Sequence, residues 1–419
     1  MTGLPLCYNC AVSLISDPVE QPANFRWDRL TAASALCYCL MVSALGVGVV
    51  LGELRDEFGI NGVVAALHGS TYGFALLVMG AFGVRLVDRI GRHAALQLAV
   101  TSLVSGVGLF CIGPSWPITL TGTVFSGFGA ALLVMVMTGV ISDHHGVHRA
   151  TAFAAINAVP GLAGVAFSLL VGAALAANWS WRPAYIAFTG AIAISVVVIA
   201  RPVRLPDDRR MGTFSLVHLR DRRVFVPGLF IVNAVITEFS VGIWATTYLH
   251  EVGLASAAMA PVLASLFGVM MFVGRLGLPV LTRAWGAAAT MRCFLIIGVG
   301  ATIMCVGPTL VLPSLWWRAI GLAIAGLGGA PLYPIAVDAF YHRNSDRLDS
   351  VALGAYSALA AGVAVTLGPL ALGVLADLIG LRWAILIVPA LSIVGAITQR
   401  PHRRANANAN AKLDYGVAT

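Results

Sequence analysis

Along its length the chain alternates long apolar runs, nearly free of charge, with short charged breaks. A run of about 18 residues is enough to cross a hydrocarbon core of about 30 Å as an α-helix. About twelve runs of at least that length fall near 30–52, 61–84, 94–112, 117–142, 151–177, 183–200, 224–249, 256–282, 288–307, 314–337, 350–376 and 383–399. Gly and Pro, 45 and 19 in the whole chain, are frequent inside them, which suits helices packed backbone to backbone and broken in places. A membrane β-barrel would show short alternating segments instead. The pattern predicts an all-α membrane protein of twelve transmembrane helices, with lipid as its first partner.

Composition agrees. Charged residues fill 11% of 419 positions and apolar ones 59%, with a mean hydropathy of +0.89; an ordinary soluble domain carries about 25% charge. The basic residues also orient the chain. With the N-terminus in the cytoplasm, 22 of the 26 Lys and Arg fall on the cytoplasmic side and only Arg55, Arg182, Arg318 and Arg382 fall outside it. By the positive-inside rule both termini are expected in the cytoplasm, with the protein in the cell (inner) membrane. The net charge of +8 is then a topology signal, and no nucleic-acid module accompanies it. Arg318, beside Trp316 and Trp317, reads as an anchor at the outer membrane surface.

The runs repeat at a spacing of about 200 residues. Gly127-Phe128-Gly129-Ala130-Ala131 in the fourth matches Gly326-Leu327-Gly328-Gly329-Ala330 in the tenth, and Trp181-Arg182-Pro183-Ala184 matches Leu381-Arg382-Trp383-Ala384. Two pseudo-repeated six-helix bundles follow, at 30–200 and 224–399, with a substrate site between them. Residues 1–29 form a cytoplasmic N-terminal segment without the features of a cleaved signal peptide. Residues 201–223 form a linker too short for a soluble domain, and 400–419, with an Ala-Asn run, form a disordered tail. Of seven cysteines, Cys37, Cys39, Cys111, Cys293 and Cys305 sit in or beside spans as small apolar filler. Cys7 and Cys10 have the spacing of half a zinc site that nothing completes, so neither metal nor cofactor is expected.

Between the second and third runs lies a tight charged turn, Arg85-Leu86-Val87-Asp88-Arg89-Ile90-Gly91-Arg92-His93. It resembles the loop Gly-x-x-x-Asp-Arg-x-Gly-Arg-Arg of the major facilitator superfamily of transporters: Asp88, Arg89, Gly91 and Arg92 fill the pattern, with Val84 at its opening position and Gly83 one place earlier. A decayed copy, Gly274-Arg275 followed by Arg283-Ala284-Trp285-Gly286, stands 195 residues on. Trp181-Arg182, Gly368-Pro369-Leu370 and Gly380-Leu381-Arg382 extend the resemblance over about 30–400. It implies alternating access, a small-molecule substrate, and a conformational gating role for Asp88, Arg89, Gly91 and Arg92. Thr123 stands where proton-coupled branches often carry Arg, and Pro160-Gly161-Leu162-Ala163-Gly164 departs from the Gly-Pro-x-x-Gly of antiporters.

The residues able to carry transport are the few polar ones at membrane depth. Glu238 is the one carboxylate near the middle of a run, where a charge costs about 2.5–3.5 kcal/mol. It is a candidate proton carrier, and helix pairing is the plainer reading. Asn233, Thr237, Ser240, Trp244 and Thr247 recur at three- and four-residue steps and form one stripe, a candidate substrate surface with Glu238 at its edge. His68, with Thr71 and Tyr72 on its face, is a second candidate for proton coupling, against a neutral His bonded between helices. Tyr72, Asn157 beside Pro160, and Tyr333 between Pro331 and Pro334 are candidate substrate contacts, since broken helix at depth lines a cavity or is buried in protein.

These residues point to a monomeric secondary transporter driven by protons. With no Arg or Lys read at the midplane, export of an amphipathic compound is slightly favoured over uptake of a sugar or organic acid. A transport-inactive sensor or scaffold is the reading from another class. No nucleotide loop or nucleophile constellation suggests an enzyme.

Overall fold

The computed structural model describes residues 26–145, 149–200, 205, 216–310, 315–344, 346–348 and 350–399. Cys7, Cys10, the N-terminal segment up to residue 25, nearly all of 201–215 and the tail lie outside them. In chain order the helices are α1 (Arg29–Leu45), α2 (Leu51–Phe58), α3 (Gly62–Ile112), α4 (Trp116–His145), α5 (Arg149–Ala176) and α6 (Trp181–Ala200). There follow α7 (Arg222–Glu251), α8 (Met259–Leu276), α9 (Leu278–Trp285), α10 (Ala289–Leu310), α11 (Leu315–Gly329), α12 (Leu332–Asn344), α13 (Ser350–Ile379), α14 (Leu381–Ala384) and α15 (Ile387–Thr398). The described residues contain no strand, and eleven helical stretches are long and apolar enough to cross a membrane.

The longest of these, α3, has 51 residues, or about 77 Å of helix against a core of about 30 Å. It does not run straight. At Gly91 the backbone leaves the helical region for φ 79° and ψ 159°, and both arms then pack on the same neighbour. On the first arm His68 meets Thr119 and Gly83 meets Met135; on the second, Arg92 meets Asp143, Leu103 meets Gly129 and Gly106 meets Gly122. The first arm runs along α4 in its direction and the second runs against it, so the chain has reversed. Counted as two crossings, α3 makes the total compatible with the expected twelve. That backbone region is essentially restricted to glycine, and Gly91→Ala is expected to cost about 1–3 kcal/mol, read as a lower unfolding temperature in detergent.

The internal repeat appears as contacts. Cβ atoms built on Gly106, Gly122 and Gly129 would lie 2.3, 2.4 and 2.4 Å from backbone nitrogens of Ser126, Phe110 and Leu103. On Gly300, Gly321 and Gly328 they would lie 2.3, 2.4 and 2.4 Å from those of Ala325, Met304 and Ile297. The second arm of α3 against α4 and α10 against α11 are thus the same glycine-lined pair built twice. In lipid, where apolar burial drives little, such backbone approach is what binds helices. The turn glycine repeats as well: Gly286, 195 residues after Gly91, has φ 51°.

The halves meet along α3 and α13, where Gly62, Gly73 and Gly80 approach Gly373, Thr366 and Leu359, and along α5 and α8, where Gly161 and Gly172 approach Phe272 and Val262. At the α2 end charges join them too. Arg55 pairs with Glu251, His250 lies 3.8 Å from Asp56, and Asp377 accepts from the N–H groups of Gly62 (2.6 Å) and Val63 (2.9 Å) at the start of α3.

At the opposite end Asp28 caps α1. It accepts from the Thr31 N–H at 2.8 Å and the Thr31 hydroxyl at 2.7 Å, and it pairs with His144 of α4 at 2.5 Å. Burial pushes its carboxyl up, but the bonds from Thr31 and the His144 ring outweigh burial and hold it down at about 2. A carboxylate held below its ordinary value stabilises the fold above that value. The contribution is therefore full above about pH 4 and is lost as the pH falls toward 2. Asp28→Ala is expected to cost about 1 kcal/mol near neutrality, whereas Asn, which also caps, restores most of it; thermal unfolding of the two variants checks this.

Candidate functional site

Glu238 lies 16 residues after Arg222 and 13 before Glu251 on α7, about 24 Å and 20 Å of helix from the two ends. Its carboxylate is 10% exposed and faces Arg275, whose Nη2 donates to Oε1 over 3.4 Å. Arg275 reaches this depth because the eighth span extends beyond it. Gly274 lets α8 approach α11, a Cβ there lying 2.9 Å from the Leu327 carbonyl, and after Gly277 the chain continues as α9 with Pro279 in its first turn. Tyr333 comes from the interrupted tenth span: α11 stops at Gly329, Pro331 lies in the break, and α12 starts at Leu332.

Tyr333 lies within electrostatic reach of Glu238, Arg275, Tyr341 and Tyr38, and Tyr72 within reach of Tyr38 and Tyr333. Tyr38 on α1 shares a 2.9 Å hydrogen bond with Thr138 on α4, and the Tyr72 hydroxyl donates to Met41 Sδ at 3.3 Å. Four tyrosines and one ion pair, drawn from α1, α3, α7, α8 and α12, therefore converge where the two halves meet. Chemically the group offers one carboxyl able to hold a proton, one fixed cation and several phenolic donors.

Of the residues singled out in the sequence, this group gathers Glu238, Tyr72 and Tyr333. The polar stripe on α7 goes elsewhere. Asn233 Nδ2 is 3.5 Å from the Leu391 carbonyl on α15, and the Thr237 hydroxyl donates to Asn233 within its own helix at 2.7 Å. Ser240 packs at Gly368, and the Trp244 Nε1–H donates to the Pro369 carbonyl at 3.1 Å. His68 is nearly fully buried between α3 and α4, its Nδ1 at 2.9 Å from the Val64 carbonyl and its Nε2 at 3.0 Å from the Thr119 hydroxyl. Asn157 Nδ2 donates to the Phe153 carbonyl, one turn back on α5. In the charged turn Asp88 and Arg89 are exposed, while Arg92 is buried and donates to Asp143 on α4 at 2.6 Å, within the same half.

Two basic residues stand elsewhere than the sequence suggested. Arg275, counted among the cytoplasmic charges, is the partner of Glu238. Arg318 turns inward, donating to the Tyr248 hydroxyl at 2.7 Å with its guanidinium 5.3 Å from that ring. Tyr38 carried no signal, since an isolated Tyr in an apolar run has nothing to mark it. Arg275 could have been found from the decayed loop copy, in which Gly274-Arg275 lies well before the turn at Gly286. Asp28, His144 and His145 also bring ligand-type atoms within 4.8 Å of one another, although the carboxylate and both rings are already engaged with one another and with Thr31.

The model of the Major Facilitator Superfamily matches residues 31–359, well over half of the chain. A Bacillus subtilis (strain 168) protein provisionally named as metabolite transport protein YyaJ is 27% identical over 186 residues, 40% of each chain. The uncharacterized transporter y4wD of Sinorhizobium fredii is 25% identical over 377 residues, 84% of this chain and 93% of its own. Among solved structures, the nucleoside transporter NupG, as a D323A mutant, superposes with a TM-score of 0.71 at 13% identity, covering 88% of this chain and 98% of that one. With the repeated bundles, the Gly91 turn and a polar group buried between the halves, these likenesses converge: the chain belongs to the Major Facilitator Superfamily and is a multi-pass membrane transporter.

Proposed function

We propose that this transporter is a proton-coupled secondary carrier of a small organic molecule, acting as a monomer by alternating access in the cell membrane with both termini in the cytoplasm. One observation carries the reading: the Glu238 and Arg275 ion pair, at mid-depth in the second half, with Tyr333 within reach of both the pair and Tyr38 of the first half. The architecture does not require it. The repeat spacing of 195 residues places Ser43 and Gly80 at the equivalent positions of the first half, which builds the same bundle without charges there.

The physical logic is a balance of charge. Ionised, Glu238 neutralises Arg275, and the empty site carries no net charge at a depth where an uncompensated one costs about 2.5–3.5 kcal/mol. Protonation of Glu238 releases Arg275 and the phenols around it to a substrate, so proton and substrate occupancy are linked at one place. A pH difference of one unit then supplies about 1.4 kcal/mol per coupled proton. Arg275 also removes the ground on which export of an amphipathic compound was favoured, the lack of a cation at depth, and uptake of a sugar or organic acid gains by it.

The test is proton movement into dye-loaded proteoliposomes on addition of sugars, carboxylates or lipophilic cations. Proton flux triggered by one class is the expected result. Substrate movement without protons would contradict the coupling, and binding without movement would favour the sensor or scaffold reading.

A further inference from the structure

We infer that the substrate is an organic anion whose carboxylate replaces that of Glu238 on Arg275, so that one proton and one negative charge cross together without net charge movement. This deepens the proposed function and rests on Glu238 being the proton site.

A guanidinium has five N–H donors, and among the described residues Arg275 uses one of them, on Glu238, over 3.4 Å. Charge-assisted bonds of this kind normally measure about 2.7–2.9 Å, so the pair is loosely held. The Arg275 side chain is 32% exposed, and Tyr333 lies within electrostatic reach of both the pair and Tyr38 of the first half. The planar fork of Arg suits a carboxylate bound through both oxygens, and the single 3.4 Å contact with Glu238 leaves that geometry unused. The Tyr333 hydroxyl has no hydrogen-bond partner among the described residues and is available to a second polar group on the ligand.

Charge then selects the class. With Glu238 protonated the site carries one positive charge at depth. A cationic ligand would double that charge and a sugar would leave it uncompensated, whereas an anion cancels it. In the loaded carrier Glu238 holds its proton and Arg275 holds the anion. After release on the far side the proton leaves, the ion pair re-forms, and the empty carrier returns neutral. The titratable group within reach of the pair is Tyr333 from α12, which is in turn within reach of Tyr38 from α1 and Tyr341 from α12, with Tyr72 from α3 one step further. Phenols ordinarily titrate near 10, so the exchange is governed by Glu238.

The experiment measures binding to the full-length protein in detergent, using the monocarboxylates gluconate, glucuronate and lactate, with glucose and tetraphenylphosphonium as the uncharged and cationic probes. Carboxylates should bind wild type more tightly as the pH is lowered. Glu238→Gln, which removes the competitor, should bind them about tenfold more tightly at alkaline pH and lose the pH dependence. Arg275→Gln should weaken binding about thirtyfold or more, with Arg275→Lys intermediate. In vesicles, proton entry with the carboxylate should not respond to an imposed membrane potential. If Arg275→Gln does not fold, the tightening in Glu238→Gln still decides, because a merely structural pair gives none. No binding of any carboxylate, or proton flux driven by glucose or tetraphenylphosphonium, overturns the anion site and leaves proton coupling standing. Carboxylate transport without protons, unchanged in Glu238→Gln, overturns the coupling itself and the exchange built on it.

Discussion

Glu238→Gln should abolish proton-driven accumulation while sparing substrate exchange. With one proton per substrate, a pH difference of one unit sustains about tenfold accumulation, and a side chain that cannot ionise forfeits that factor. Exchange survives because the neutral amide mimics the protonated, substrate-ready form of Glu238: Arg275 is released and the loaded carrier reorients as before. Reorientation of the empty carrier suffers, since Arg275 then crosses unpaired at a cost of about 2.5–3.5 kcal/mol. The pattern that checks the account is therefore uphill uptake lost with counterflow retained, measured on one vesicle preparation. Loss of both would mark Glu238 as a packing residue whose removal disturbs α7 and α8.

The second large effect is expected between the halves. A Cβ on Gly73 would lie 2.4 Å from the Thr366 nitrogen and 2.6 Å from the Val365 carbonyl carbon, backbone atoms that cannot swing away. Gly73→Leu therefore has to part α3 from α13 along a seam running from Gly62 to Gly80, at a cost of about 3 kcal/mol, the upper end for overpacking. Transport should fall at least about tenfold, because the seam is a surface on which the halves must fit in the closed state. Gly161→Ala is the matched control: its Cβ meets Phe272 at 3.6 Å, an ordinary contact, and it should be neutral or slightly stabilising. Unfolding temperature and uptake, measured on both variants, separate a packing effect from a general intolerance of change at glycine.

The fold was largely legible in the sequence because lipid imposes one simple rule on it. Every span must satisfy its own backbone and present apolar side chains, so uninterrupted apolar length marks the helices. The repeat was equally plain, since close helix approach demands glycine at fixed places. The break at Pro331 was readable for a local reason too, as proline removes a backbone donor.

The polar group at the seam was only half legible. Glu238 stood out because charge at depth is rare. Its partner did not, because Arg275, although inside the run read at 256–282, was counted with the basic residues of the turn that follows it. The stripe on α7 shows the opposite error in kind. Helical periodicity says which residues share a face, but not whether that face meets a cavity or another helix, and Ser240 and Trp244 face α13. Tyr38 and Tyr72 join Tyr333 only through the packing of three helices far apart in the chain, which no local pattern encodes.

The most direct test counts protons and substrate in the same vesicles, for wild type and Glu238→Gln, with the substrate that triggers flux in the wild-type protein. About one proton per substrate is expected in wild type and none in the variant, with substrate exchange intact in both. A variant that still moves protons in the wild-type ratio would show that the coupling site lies elsewhere and that the ion pair of Glu238 with Arg275 only holds two helices together.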